Sequence, residues 1–321
     1  MKEAPVLAIV VPCYKEESVL HETHKRLSQL LDRLITEERI SSKSYILYVN
    51  DGSTDHTWKI IKEFYKNTSY ACGLNLAGNV GHQNALMAGL NTVKERCDAA
   101  ISIDADLQDD VNVIPEMIER YMEGNDIVYG VRRERKTDTF FKRTTALAFY
   151  RLMKTMGAKS VYNHADYRLV SAKVLKEFAN FKEVNLFLRG MIPLVGFKST
   201  SVYYKRNERI AGKSHYPLSK MIALAFDGIT SLSIKPIRMI TSFGFIVALV
   251  SFIFIIVSII QKFVGTTVTG WTSTIAVICF VSGVQLICMG VLGEYIGKIY
   301  MEVKHRPRYI ISERTEDLKE K

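Results

Sequence analysis

Short apolar runs alternate with stretches of helical periodicity over the first part of the chain. The apolar runs are typical of strands buried in a parallel sheet, and they fall at residues 6–11, 45–49, 72–76, 99–103 and 127–129. Helical spacing occupies the intervals, at residues 16–35, 57–65, 85–94 and 113–122. Because strand and helix alternate, the pattern predicts an α/β fold with a doubly wound, mostly parallel sheet and right-handed crossovers.

The pattern changes near residue 215, beyond which two long runs carry no charged side chain. Residues 239–260 and 263–293 contain no Asp, Glu, Lys or Arg. Each run is long enough for a helix to cross a hydrocarbon core roughly 30 Å thick. We therefore predict a two-helix transmembrane hairpin with spans at 239–260 and 271–293, in preference to a buried soluble hairpin.

Positive charge flanks this hairpin at both outer ends. The intervening loop holds only Lys262, whereas six basic residues lie just outside the spans: Lys235, Arg238, Lys298, Lys304, Arg306 and Arg308. By the positive-inside rule, both ends of the hairpin and the large N-terminal region face the cytoplasm. The five cysteines show no paired or metal-type spacing, which agrees with a reducing compartment.

These features divide the chain into four predicted parts. Residues 1–215 form a cytoplasmic catalytic domain, 216–236 an amphipathic interfacial helix, 237–295 the two spans, and 296–321 a basic cytoplasmic tail. Residues 138–156 also have an amphipathic pattern. For that segment, a helix on the membrane surface and an ordinary helix packed on the core remain equally open.

The net charge of +10 is concentrated in two segments. Residues 132–154 hold eight Lys or Arg against two acids, and residues 198–220 hold six against one. Such patches attract anionic lipid headgroups, phosphate groups or nucleic acid. The neighbouring spans favour the first two, and the chain lacks a recognisable nucleic-acid-binding motif, so no nucleic-acid partner is predicted.

An acidic triplet follows the fourth predicted strand. In Asp104-Ala105-Asp106, the two carboxylates are two residues apart, so they point to the same side where the strand ends. Hard oxygen ligands suit Mg²⁺ or Mn²⁺, and such ions bridge carboxylates to phosphates. The alternative is a solvated acidic turn, but the position after a buried strand favours a metal site.

Several motifs occur in order along the chain and together carry a resemblance. They are Val11-Pro12-Cys13-Tyr14-Lys15-Glu16-Glu17, Val49-Asn50-Asp51-Gly52-Ser53-Thr54-Asp55, Gly78-Asn79-Val80-Gly81-His82, Asp104-Ala105-Asp106-Leu107-Gln108-Asp109, Asp166-Tyr167-Arg168-Leu169, Leu188-Arg189-Gly190, Val195-Gly196-Phe197-Lys198 and Arg209-Ile210-Ala211-Gly212-Lys213-Ser214. With these motifs, the chain resembles family 2 glycosyltransferases of GT-A fold. Within that family it resembles the polyprenyl-phosphate branch, which includes dolichol-phosphate mannose synthase and the bactoprenol glucosyltransferases with two C-terminal spans.

The resemblance implies a nucleotide site at the ends of the first two strands. Pro12 and Tyr14 would fix a loop there, and Glu16 would accept from the imide N–H of a base. Asp51 resembles the nucleoside-binding aspartate of the family. The alternatives are that Glu16 only favours a helix N-terminus, and that Asp51 is a turn residue beside Gly52.

The same resemblance assigns roles around the acidic triplet. Asp104 would lie nearest the nucleotide and Asp106 would hold the metal, whose chemistry is to neutralise the leaving diphosphate. Both are predicted to be catalytic, and both are candidate metal ligands. Gln108 and Asp109 would line the donor sugar site.

Asp166 is the predicted catalytic residue near the acceptor. A phosphate monoester is already substantially deprotonated near neutral pH, so Asp166 is expected to orient groups rather than to remove an essential proton. The alternative is a strand-edge residue paired with Arg168. Charge and hydrogen-bond donors for phosphates are predicted at Arg132, Arg209, Lys213 and Ser214, with a solvated basic loop near lipid headgroups as the alternative.

These assignments lead to a functional hypothesis. We expect an inverting, metal-dependent transfer of one hexose from a nucleotide sugar to undecaprenyl phosphate at the cytoplasmic face of a bacterial inner membrane. By resemblance alone, UDP is the expected nucleotide, glucose the expected sugar, and a homo-oligomer such as a tetramer the expected assembly.

Two other classes of protein remain to be weighed. A processive polysaccharide synthase would need more spans, and its Gln-x-x-Arg-Trp motif does not occur in this sequence. A membrane-tethered scaffold that binds nucleotide sugars without turnover would not need the carboxylates at Asp51, Asp104, Asp106 and Asp166.

Overall fold

A computed structural model of the chain describes residues 3–132, 164–205, 230, 233–264 and 270–318. Its strands are β1 (Leu7–Cys13), β2 (Tyr45–Asn50), β3 (Ala71–Leu76), β4 (Ala99–Ser102), β5 (Ile127–Arg132), β6 (His164–Ser171), β7 (Ser199–Tyr204) and β8 (Ile311–Arg314). Its α-helices are α1 (Leu20–Thr36), α2 (Thr57–Asn67), α3 (His82–Val93), α4 (Ile114–Met122), α5 (Ala172–Phe178), α6 (Leu188–Met191), α7 (Lys235–Val264) and α8 (Trp271–Val303).

The strands form one sheet in the order β7-β5-β6-β4-β1-β2-β3-β8. Strands β4, β1, β2 and β3 are parallel neighbours, and β7 lies parallel to β5. Strand β6 runs antiparallel between β4 and β5, and β8 runs antiparallel along β3. The predicted α/β fold with a doubly wound, mostly parallel sheet is therefore confirmed, and β6, β7 and β8 add strands that the sequence pattern did not predict.

Helices cover both faces of the sheet and bury its apolar side chains. Every residue of β1 is buried, as expected for a central strand with helices on both sides. One face packs against the buried sides of α1, α2 and α4, and the other packs against α3, α5 and α6. The approach of α3 is close, since a Cβ at Gly89 would lie 2.4 Å from Cγ1 of Val10.

The last two helices are long and apolar enough to cross a membrane, by length and composition. Their most apolar segments are Lys235–Phe254, with a mean hydropathy of 2.1, and Phe280–Val303, with 1.4. The predicted spans lie within these helices, but α8 continues about ten residues beyond the predicted end. Large apolar side chains on both helices are exposed, as a lipid-facing surface requires: Phe245, Phe254, Leu286 and Ile287.

The segment after α8 returns to the sheet. Strand β8 pairs with β3, and Trp58 Nε1 donates to Glu313 Oε2 over 2.9 Å. The backbone N–H of Gly73 donates to Thr315 Oγ1 over 2.8 Å. The predicted tail therefore contains the end of α8 and an edge strand of the sheet. The boundaries of the four predicted parts stay a prediction, and the amphipathic segments at 138–156 and 216–236 lie largely or wholly outside the described residues.

A buried histidine on α1 gives the fold a defined acid sensitivity. The His24 ring stacks on Phe64 with a centroid distance of 4.0 Å, and its Nδ1 lies 3.0 Å from the Tyr48 hydroxyl. Burial lowers the pKa of His24 to about 4, with a smaller contribution from His21. Between pH 6.5 and 4 the unfolded chain therefore binds a proton that the folded chain does not, so stability is lost as the pH falls through this window.

We expect a His24→Phe variant to lose less stability than the wild type when the pH is lowered from 7 to 4.5. The difference should be on the order of 3 kcal/mol at most, from the shift of about two and a half pKa units. The measurement is the apparent Tm in detergent at each pH. The exposed His305 serves as the control, since a His305→Gln variant should keep the wild-type pH dependence. An equal loss in His24→Phe would contradict the assignment.

Candidate active site

Three elements bring a histidine and two aspartates together at the carboxyl ends of the parallel strands. Asp104 follows β4, and Asp166 lies on the neighbouring β6. His82 is the first residue of α3, and its Nε2 lies 3.5 Å from Asp104 Oδ1 and 3.8 Å from Asp166 Oδ2. The candidate metal-binding and acceptor residues thus share one site, as expected for ligands bound at this edge of an open α/β sheet.

Two arginines hold the Asp166 carboxylate. Arg168 Nη2 lies 2.5 Å from Asp166 Oδ1, and Arg189 Nη2, carried on α6, lies 3.0 Å from Asp166 Oδ2. Desolvation alone would raise the pKa of Asp166, but Arg189 and Arg168 outweigh it and hold this pKa well below its usual range. Asp166 is therefore an anion fixed in place, and the pairing with Arg168 considered from the sequence is present.

Asp104 has the opposite electrostatic character. Desolvation raises the pKa of this carboxyl, His82 opposes the rise, and the nearby Asp109, Asp166 and Asp106 add to it. A cation at this position would offset the repulsion among these carboxylates. The site thus carries excess negative charge where the sequence predicts a metal.

The donor set fits a divalent ion of the magnesium type. Asp106 Oδ1 accepts the backbone N–H of Gln108 over 3.2 Å, which orients this carboxylate at the end of the loop. Within the described ranges, no three His, Cys, Asp or Glu side chains are grouped so that they could hold a metal alone. Mg²⁺ is typically bound by one or two carboxylates and completed by substrate phosphates, which matches Asp104 with Asp106.

A second charged cluster lies under the loop that follows the acidic triplet. Arg132 Nη2 is 3.0 Å from Asp109 Oδ1, and the Tyr204 hydroxyl donates to the same oxygen over 2.5 Å. Arg132 Nε donates to Tyr204 over 3.2 Å. The Asp109 side chain is 1% exposed, so these contacts fix Arg132 rather than offer Asp109 to open space. Gln108 is also buried, and the predicted sugar contacts of both residues stay a prediction.

Asp51 organises the turn that leads into α3. Its Oδ1 accepts the N–H of Val80 over 2.7 Å, and its Oδ2 accepts the N–H of Gly81 over 3.0 Å. Gly52 has a φ of +60°, and a Cβ there would meet the Gly78 carbonyl carbon at 2.4 Å, so only glycine fits. These contacts match the turn alternative and position His82, while nucleoside binding by Asp51 stays a prediction.

The loop after β1 is held against the loop after β2. The N–H of Lys15 donates to Ser53 Oγ over 3.0 Å, and the N–H of Glu16 donates to Thr57 Oγ1 over 3.0 Å. The Glu16 carbonyl accepts from the N–H groups of residues 19 and 20, where α1 begins. Tyr14 is 44% exposed and so presents its ring at the strand edge. Pro12 lies within β1, and contacts of these residues with a nucleotide stay a prediction.

The structure adds site residues that the sequence did not assign. Arg189 and His82 lie in two of the motifs that carry the family resemblance, but those motifs assign neither residue a role. Tyr204 gave no signal at all. The one available signal is that Arg189 is a second basic residue in the motifs that follow Asp166, and a carboxylate can accept from more than one guanidinium. Of the predicted phosphate-binding residues, Arg132 is described, and Arg209, Lys213 and Ser214 lie outside the described residues.

Comparison with known proteins gives matches over almost the whole chain. Residues 8–179 match Glycosyl transferase family 2, and residues 235–299 match the GtrB C-terminal hairpin. The uncharacterized glycosyltransferase YkoT of Bacillus subtilis is 54% identical, over 97% of this chain and 93% of its own length. The bactoprenol glucosyl transferase of Shigella phage SfX is 39% identical, over 96% of this chain and 99% of its own. The resemblance drawn from the motifs is thereby confirmed.

A similar structure is glucosyl-3-phosphoglycerate synthase from Mycobacterium tuberculosis, solved with Mn²⁺, uridine diphosphate and phosphoglyceric acid. It shares 16% sequence identity at a TM-score of 0.45, over 71% of this chain and 77% of that one.

We expect Asp166→Asn to destabilise the folded domain by about 3–5 kcal/mol, because it leaves the buried Arg168 without its anionic partner. Thermal unfolding in detergent measures the loss. The matched control is Glu119→Gln, which breaks an ion pair to Arg39 at the surface and should cost less than about 1 kcal/mol. Equal, small effects of the two substitutions would show that Arg168 does not depend on Asp166.

Proposed function

Because this chain belongs to glycosyl transferase family 2, we propose that it transfers one glucose from UDP-glucose to undecaprenyl phosphate. The reaction would take place at the cytoplasmic face of a bacterial membrane, with inversion at the anomeric carbon. The observation that carries this proposal is the meeting of Asp104, His82 and Asp166 at the sheet edge, in a chain with two helices long and apolar enough to enter a membrane.

The acceptor class is supported by the C-terminal part of the chain. Residues 235–299 match the GtrB C-terminal hairpin, and relatives that match over nearly their full length are named bactoprenol glucosyl transferases. Bactoprenol is a long apolar alcohol, so its phosphate would lie at the membrane surface. An enzyme held there by two apolar helices would meet this phosphate from the cytoplasmic side.

The chemistry follows from the charges of the site. The acceptor phosphate is itself an anionic nucleophile near neutral pH, so the reaction does not require a strong base. Asp166, held as an anion by Arg168 and Arg189, is unsuited to take up a proton. We assign it the role of fixing Arg189, whose side chain is 40% exposed and can meet a phosphate.

The leaving nucleoside diphosphate would be stabilised by a metal ion and by basic side chains. Asp106 and Asp104 would hold Mg²⁺ or Mn²⁺, which when bound neutralises charge on the diphosphate. Arg132 presents a partly exposed guanidinium fixed by Asp109 and Tyr204. The basic loop with Arg209, Lys213 and Ser214 would add donors. Groups prepositioned in this way stabilise developing charge without reorganising during the reaction.

The direct test is product formation by the purified protein. Protein in detergent is incubated with undecaprenyl phosphate, Mg²⁺ or Mn²⁺, and a panel of nucleotide sugars, and the lipid products are resolved by mass. We expect undecaprenyl phosphate carrying a single hexose, formed best from UDP-glucose. A lipid carrying many sugars would indicate a polysaccharide synthase. Donor binding without any lipid-linked product would indicate a scaffold, and either outcome would overturn the proposal.

We expect Asp104→Asn and Asp106→Asn each to lower product formation by roughly a hundredfold or more, because each removes a carboxylate that holds the cation. Excess chelator should abolish activity in the wild type, and added Mn²⁺ or Mg²⁺ should restore it. The control is Asp32→Asn, an exposed carboxylate on α1. Wild-type rates in the Asp104 and Asp106 variants, or full activity in chelator, would show that the reaction does not require a metal ion.

A further inference from the structure

The end of α8 reaches from the membrane hairpin to the catalytic unit. The predicted span ends at residue 293, and Glu302 lies nine residues further along the same helix, a rise of about 14 Å. Its carboxylate contacts the loop that precedes α6, the helix that carries Arg189. The C-terminal end of α8 therefore contacts Asn185, three residues before α6 begins.

One carboxylate satisfies three donors of this loop. The N–H of Val184 lies 2.8 Å from Glu302 Oε1 and 2.9 Å from Oε2. The N–H of Asn185 donates to Oε1 over 3.0 Å, and its side-chain Nδ2 donates to the same oxygen over 2.9 Å. The Asn185 Nδ2 also lies 3.4 Å from the Lys298 carbonyl, so Glu302 makes the shortest of the hydrogen bonds that join α8 to residues 184 and 185.

The path from the loop to the site is short. Helix α6 has four residues, too few to be stable by its own hydrogen bonds. It is fixed from outside instead. The N–H of Leu188 donates to Gln83 Oε1 over 2.8 Å, and the Leu188 carbonyl accepts from Arg168 Nη1 over 3.3 Å. Arg189 then contacts Asp166. Residues 184 and 185 lead directly into this helix, so the position of the Glu302-bound loop is a further determinant of where Arg189 lies relative to Asp166.

We propose that Glu302 is a positioning residue for the acceptor side of the reaction. By holding residues 184 and 185, it sets Arg189 against Asp166 and couples the membrane helix to the group that meets the lipid phosphate. The kinetic part of this inference rests on the proposed function. Its structural part, the restraint of residues 184–189 by Glu302, does not.

Other contacts keep the polypeptide after α8 in place when Glu302 is changed. Arg308 Nη2 donates to the Phe181 carbonyl, and Asn91 Nδ2 donates to the Tyr309 hydroxyl over 3.0 Å. Strand β8 stays paired with β3. A Glu302 variant should consequently fold and keep its hairpin, and the effect should be confined to the loop and to α6.

The test compares Glu302→Gln and Glu302→Ala with Glu294→Gln. Glu294 lies on the same helix and contacts Lys298 on that helix at 4.0 Å, which makes it a matched control. In the Glu302 variants we expect kcat/KM for undecaprenyl phosphate to fall about tenfold to a hundredfold, as a small misplacement of a catalytic group does. The KM for the donor should stay within about twofold, because the donor side keeps its contacts.

Hydrogen exchange gives a readout that does not depend on turnover. The amides of residues 184–189 should exchange about tenfold faster in the Glu302 variants, and at the wild-type rate in Glu294→Gln. Unchanged exchange there would overturn the inference. So would an unchanged kcat/KM for undecaprenyl phosphate in both Glu302 variants. If the wild type makes no lipid-linked product, the proposed function fails, while the exchange experiment still decides whether Glu302 holds this loop.

Discussion

The ion-pair cluster around Asp166 is the interaction on which the site depends. One carboxylate, 12% exposed, satisfies the buried guanidinium of Arg168 and the partly exposed guanidinium of Arg189. Breaking a buried pair leaves an uncompensated charge, so each partner requires the other. The cluster joins β6 to α6, and through His82 it also meets α3 and Asp104. Its geometry fixes how Asp104, a predicted metal ligand, lies relative to Asp166, the predicted acceptor-side residue.

The electrostatics of the two aspartates differ, and this difference separates their roles. Asp166 is a stable anion because two arginines outweigh its desolvation. Asp104 is destabilised as an anion, since desolvation and three neighbouring carboxylates act against its charge. A cation near Asp104 would stabilise its charge, whereas Asp166 already has two arginine partners. Opposite environments for paired carboxylates are a recurrent way to divide functions in one active site.

The sequence predicted the centre of the sheet better than its edges. Strands β1 to β4 are largely buried on both faces, so each appears in the sequence as a short apolar run that predicts a strand. Strand β6 contains His164, Asp166 and Arg168, and β8 is the polar segment Ile311–Arg314, so neither has an apolar run. Strand β8 also pairs with β3 from more than 200 residues away, a contact that no local pattern reveals. Long-range pairing of this kind depends on the tertiary fold.

The sequence likewise predicted residue types in the site better than their tertiary contacts. Asp104, Asp106 and Asp166 were predicted from spacing and resemblance, and the structure brings Asp104 and Asp166 together around His82. Ligand binding by Asp51 and Asp109 stays a prediction, and the structure adds that they fix a backbone turn and an arginine. Their chemistry could be read from the sequence, whereas their burial could not. His82 and Arg189 enter the site only because α3 and α6 begin beside it.

In the proposed reaction, a cation held by Asp104 and Asp106, the anion of Asp166 and the helix α8 act together. The glucosyl group is transferred to a lipid phosphate with inversion. The most direct measurement is the anomeric configuration of the glucosyl phosphate formed from UDP-glucose and undecaprenyl phosphate by the purified protein, read by NMR. Since the sugar of UDP-glucose is α-linked, the account predicts a β-linked product. An α-linked product, or free glucose alone, would contradict it.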